Sequence, residues 1–199
     1  MKKNNFPLIE KLTHQDIMKS LYWTQCLLLA FTGIGIWLLF DSFSTYFQLF
    51  DWSDRRLVFG IIGGLTVVLI DVCFMKWLPH RYFDDGGINE KIFSKLSIVS
   101  TVRITALIAF SEEMLFRGVL QTQFGFTAAS ILFSLVHIRY LSNWFLTINI
   151  FILSFWIGFF YEWTGNLAVT VVMHFVIDCL LGIIIHYKEK RDRTKRDDT

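Results

Sequence analysis

Three pairs of residues in the second half of the chain stand four positions apart: Glu113 with Arg117, Phe133 with His137, and His174 with Asp178. Glu112 adjoins the first pair. Residues four apart on a helix share a face, so Glu113 and Arg117 can neutralise each other. Glu112, rotated by about 100°, is left for other work. The reaction these groups suit is hydrolysis. A carboxylate in an apolar pocket is poorly solvated, which strengthens it as a general base. Glu112 then takes a proton from a water held by His137, while His174 and Asp178 lie opposite and stabilise the oxyanion of an attacked carbonyl. Glu112, His137, His174 and Asp178 are equally candidates to ligate zinc, which favours such nitrogen and oxygen donors. Neither a His-Glu-x-x-His helix nor a Gly-x-Ser-x-Gly elbow occurs, so acyl transfer by an activated water is the reaction class that remains.

The surroundings give these charges their weight. Of 199 residues 54% are hydrophobic and 17% aromatic, with 21 Phe and 7 Trp. Charged residues make up 18%, against about 25% in soluble domains. The composition is that of a membrane protein, and the expected fold is an all-α polytopic bundle of about six transmembrane helices. Charges at membrane depth cost roughly 2.5–3.5 kcal/mol each even on insertion scales. Such groups persist when they pair, face a protein interior or do chemistry. A net charge of +2 gives no support for nucleic-acid binding. Three cysteines, Cys26, Cys73 and Cys179, sit singly in apolar segments and read as buried thiols, with neither disulfide nor metal spacing.

In chain order, residues 1–20 are a polar or interfacial segment, in which Thr13-x-x-Asp16 reads as a cap of a short helix. Residues 21–78 hold two spans, 21–40 and 57–78. The first reads as an uncleaved span, since no small-residue cleavage site follows it. The second carries Gly60-x-x-x-Gly64, a close-approach motif, and an intramembrane Asp71. Asp71 is expected either to hydrogen-bond a neighbouring helix or to serve function. Residues 79–187 form the expected catalytic core. It has a hydrophilic connection with an amphipathic helix over 88–96, a long helix over 98–121, a shorter one over 127–140, and spans over 144–163 and 167–187. Residues 188–199 are a basic tail. With Lys2, Lys3, Lys11 and Lys19, that tail predicts cytoplasmic termini by the positive-inside rule.

Glu112-Glu113-x-x-x-Arg117, Phe133-x-x-x-His137 and His174-x-x-x-Asp178, in this order on successive helices, resemble the three motifs of the CAAX protease and bacteriocin-processing family of intramembrane endopeptidases. Tyr161-x-x-Thr164-Gly165-Asn166 resembles the family's lead-in to its third motif. The resemblance covers residues 79–187. It implies that Glu112 is the catalytic base, that His137 helps bind the water, and that His174 with Asp178 forms the oxyanion side. Glu113, Arg117 and Phe133 match supporting positions. Eukaryotic prenyl-protein members carry Asn where this chain has Asp178, and Asp occurs in bacterial relatives. An ionised Asp only accepts hydrogen bonds, whereas a protonated one donates.

The sequence therefore predicts a multi-pass peptidase of a cell membrane, bacterial by resemblance, whose substrate is a membrane-associated peptide or protein C-terminus. No cofactor is expected, with zinc as the alternative. A non-catalytic bacteriocin-immunity or scaffold protein of the same fold is the competing function. A proton-coupled transporter using Asp71, Glu112 and His174 is the remotest, because internal repeats are missing.

Overall fold

The computed structural model describes residues 12–197, without the side chains of Arg139 and of residues 192–197. The lysines at 2, 3 and 11, and the side chains of Arg193, Lys195 and Arg196, on which the terminal charge reading rests, lie outside the described residues. Among the described residues all regular structure is helical, and the chain forms the expected polytopic bundle. Four helices are long and apolar enough to cross a bilayer: α1 (His14–Leu39), α3 (Leu57–Trp77), α7 (Trp144–Thr164) and α8 (Leu167–Asp197, apolar through Arg191). Short helices α2 (Phe43–Phe47) and α4 (Ile88–Phe93) lie in the connections. The charged α5 (Ile98–Glu113) and the apolar α6 (Phe126–Val136) complete the bundle. At 11 residues, α6 is about 16 Å long, roughly half a hydrocarbon core. Large apolar side chains face outward, with Trp23, Trp37 and Trp77 72%, 74% and 75% exposed. That pattern is stable only against lipid.

Several features differ from the sequence reading. The Thr13–Asp16 capping box is present, but it opens α1 itself, a continuous helix of 26 residues, and no separate short helix precedes the span. Cys26 and Cys73 are exposed and only Cys179 is buried, because a thiol facing lipid needs no protein cover. The long helix expected over 98–121 changes after Glu113 into a π-helix over Met114–Gln121. Two contacts accompany the wider turn. Tyr46, fully buried on α2, donates its hydroxyl to the Met114 carbonyl at 2.7 Å, and Gly118 lets that ring and Leu167 approach the backbone. Such π segments concentrate at functional sites.

Helix α8 is the central element, packed against α3, α5 and α7. Its seam with α3 uses the small-residue motif internally: a Cβ on Gly64 would sit 2.8 Å from the Met173 carbonyl, and one on Gly60 would collide with that of Val169. The glycines thus bring two helices of one chain together. The α7–α8 turn is fixed by Gly165, whose φ of 59° suits glycine, and by Asn166. The Asn166 side chain accepts from the Asp51 and Ala168 amides at 3.1 and 2.9 Å and donates to the Asp51 carbonyl at 2.8 Å.

Candidate active site

The base of the site is a buried ion pair. Glu113 and Arg117 are both 0% exposed, with Arg117 Nε 3.5 Å from Glu113 Oε2. Arg117 reaches the Ser154 carbonyl and hydroxyl on α7 through Nη2, at 3.2 and 3.3 Å. Its guanidinium also lies 4.8 Å from the centre of the Phe133 ring, a desolvated cation–π contact. Ser154 carries no motif, so only its small polar character within an aromatic span marked it in the sequence.

Glu113 has a second partner. His174 Nδ1 lies 2.9 Å from Glu113 Oε1. A carboxylate only accepts, so Nδ1 carries the proton and Nε2 is turned into the cavity. There Nε2 stands 3.9 Å from Glu112 Oε2 and 3.5 Å from Asp178 Oδ2. The carboxylate that fixes the ring's Nδ1 is thus Glu113, from α5, while Asp178 addresses the working nitrogen.

His137 is held in a parallel way. Helix α6 ends at Val136, and His137 is its C-cap, with φ −81° and ψ 50°, ahead of a 3₁₀ turn over Ile138–Tyr140. The helix expected over 127–140 stops early because the histidine ring turns back on it. His137 Nδ1 donates to the Phe133 carbonyl at 2.7 Å, satisfying one of the acceptors a helix end leaves open. Its ring packs on Phe133 at 4.6 Å and stacks with Tyr140 at 6.0 Å. Nε2 is left 3.9 Å from Glu112 Oε2.

Glu112 therefore faces the Nε2 atoms of two histidines from two other helices, each at 3.9 Å. Both rings have Nδ1 committed to an acceptor behind them. These separations exceed a direct hydrogen bond and are of the size a bridging water closes. Glu112, His137, His174 and Asp178 line a cavity of about 1900 Å³, larger than the roughly 300–1000 Å³ of small-molecule pockets. All seven motif residues meet here: five line the cavity, Phe133 between the two histidines among them, and Glu113 and Arg117 lie behind. As donors for a metal they are less well disposed. Among the described residues no group of three or more His, Cys, Asp or Glu side chains is spaced to hold an ion.

Asp71 lines the same cavity. It makes no hydrogen bond or ion pair with the described residues, so the expected hydrogen bond to a neighbouring helix is not formed. The side chain points into the cavity instead.

Residues 94–180, which contain all seven motif residues, match the family described as type II CAAX prenyl endopeptidase Rce1-like. The uncharacterized protein YpbD of Bacillus subtilis (strain 168) is 44% identical over 176 residues, covering 88% of this chain and 93% of that protein. No solved structure matches the chain.

Proposed function

Since this chain belongs to the Rce1-like family of CAAX prenyl endopeptidases, we propose that it is an intramembrane endopeptidase whose Glu112 activates a water against a peptide bond. The observation that carries this reading is the pair of 3.9 Å gaps between Glu112 Oε2 and the Nε2 atoms of His137 and His174. A water in that space hydrogen-bonds Glu112 through one O–H and the Nε2 lone pair of His137 through the other, and as its oxygen attacks the first proton passes to Glu112 while the second stays on the oxygen. The carbonyl carbon accepts it and the carbonyl oxygen becomes the oxyanion. With Glu113 accepting at Nδ1, a doubly protonated His174 presents Nε2–H to that oxygen. Asp178 stands beside the same nitrogen and orients it. As the intermediate collapses, Glu112 returns its proton to the leaving amine and the C–N bond breaks.

The cavity suits a membrane-associated peptide or a protein C-terminus: it is wider than a metabolite needs and is walled by helices that face lipid. The basic residues following the last span, Lys188, Lys190 and Arg191 among them, support cytoplasmic termini, and the Bacillus relative supports a bacterial cell membrane. The reaction is read as needing no metal or other cofactor.

The test compares the membrane peptides of cells making the wild-type protein with those of cells making Glu112→Ala at the same level. Peptides present only with the wild type name both substrate and bond. Identical peptide sets, together with a retained cellular phenotype in Glu112→Ala and His137→Ala, would favour the non-catalytic immunity or scaffold reading instead. Loss of cleavage with phenanthroline and its restoration by zinc would overturn the metal-free reading.

A further inference from the structure

Asp71 sits on the face of α3 that meets α8. Gly60, Gly64 and Val68, which precede it at helical intervals, are all buried there, and Val68 packs with Met173 and Ile177 of α8. Lipid exposure therefore does not explain the aspartate, and no side chain among the described residues neutralises it. Protein-interior carboxylates at membrane depth are retained when something pairs with them.

Its position relative to the catalytic centre follows from helix register. Gly60 faces Val169, while Gly64 faces Met173 and Val176, so α3 and α8 run parallel. Seven residues past Gly64, Asp71 is level with α8 a little beyond Asp178, roughly 5 Å along the axis at 1.5 Å per residue. Adding the lateral step between closely packed helices gives a separation on the order of 10 Å. An extended peptide covers that in about three residues. The balance of charge around the cavity also favours a cationic group. The charged lining is mostly acidic: Asp71, Glu112 and Asp178 on long helices, and Asp84, Asp85, Glu90 and Glu189 nearer Arg81 and Lys188, the two lysine or arginine residues that line it.

Resting on the peptidase reading above, we propose that Asp71 is a specificity-determining residue that pairs with a lysine or arginine side chain of the peptide, two to four residues from the bond cleaved. The peptide cation supplies the charge that Asp71 lacks within the protein. An acidic or neutral residue at that position leaves the carboxylate unpaired, and the cavity discriminates on that difference.

The test uses the full-length protein in lipid nanodiscs, with two sets of fluorescein-labelled Leu/Ala-rich peptides. One set carries a single lysine at each successive position, and the other carries norleucine there, which keeps the four-carbon chain and lacks the ammonium. Binding is measured on Glu112→Ala protein and cleavage on protein with Glu112 intact, each with Asp71 as Asp, Glu or Asn. Because Asp71 makes no contact that a neutral isostere would break, Asp71→Asn is expected to unfold at the wild-type temperature. The expected result is a lysine preference of about tenfold to a hundredfold at one position. It should persist in Asp71→Glu, vanish in Asp71→Asn and be absent for norleucine. Equal binding of both sets by the Asp71 protein, or an unchanged preference in Asp71→Asn, overturns the proposal. Absence of cleavage in every peptide alongside a lysine preference in binding that depends on Asp71 would instead overturn the peptidase reading while sustaining the Asp71 site.

Discussion

Arg117→Met removes one half of a fully buried pair and is the most quantitative perturbation the site offers. At 3.5 Å separation, the Coulomb energy at an effective dielectric of about 20 is roughly 5 kcal/mol. Part of it survives unfolding, because Glu113 and Arg117 are one turn apart and an unfolded chain in micelles keeps its helices. Allowing about half for that residue of pairing leaves a coupling on the order of 2 kcal/mol. Arg117→Met also forfeits the cation–π contact with Phe133, worth up to about 2 kcal/mol in a desolvated site. The assay is equilibrium unfolding by SDS in mixed micelles, run as a double-mutant cycle with Glu113→Gln. The glutamine oxygen still accepts from His174 but carries no charge. The double variant should be less destabilised than the sum of the singles by about 2 kcal/mol. Strict additivity within about 0.5 kcal/mol would refute the view that the two groups exist to neutralise each other.

Other consequences follow from the same geometry. Gly64→Ala places a methyl 2.8 Å from the Met173 carbonyl and should lower stability by about 1–3 kcal/mol, read by thermal unfolding, without altering cross-linking between chains. His137→Phe keeps the stack on Phe133 and Tyr140 but loses the bond to the Phe133 carbonyl, so stability should fall by about 1 kcal/mol and peptide cleavage by about 10²-fold or more. Outside the membrane, Asp54 accepts from the Arg56 amide at 2.8 Å and its Nε at 2.6 Å. The Arg56 backbone N–H first, then its side chain and Asn166, hold the Asp54 carboxyl below the usual range. A depressed value stabilises the fold above the unfolded value of about 3.9. That contribution disappears as pH falls through the folded value. Unfolding followed from pH 5 to pH 2 should therefore show an acid limb that Asp54→Asn reduces.

The pairing of Glu113 with Arg117 and the separate direction of Glu112 were legible in the sequence because both depend only on spacing within one helix. What spacing could not show was contact between helices. Glu113 rather than Asp178 meets His174 Nδ1 because α5 and α8 pack at a particular register, which no single-helix period encodes. The π-helix was hidden for a related reason. Its cause includes a tyrosine 68 positions earlier in the chain, while the local run Met114–Gln121 is compatible with an ordinary α-helix. Helix α6 was expected to end near His137, and it does so at Val136; the ring's bond to the Phe133 carbonyl, which accompanies that end, could not be read from spacing. The glycine pair in α3 was readable as a site of close approach, and only the fold identifies the partner as α8 of the same chain.

In the proposed mechanism Glu112 passes a water to the peptide carbonyl without itself being acylated. Reconstituted enzyme in excess over a substrate found in the membrane-peptide comparison, reacted for one turnover in ¹⁸O-water, distinguishes the possibilities by mass spectrometry. One ¹⁸O should appear in the new C-terminal carboxylate, none in the side chain of Glu112, and Glu112→Gln should release product about 10²–10⁴-fold more slowly. Cleavage by Glu112→Gln at the wild-type rate, or ¹⁸O in the Glu112 carboxylate, would contradict it.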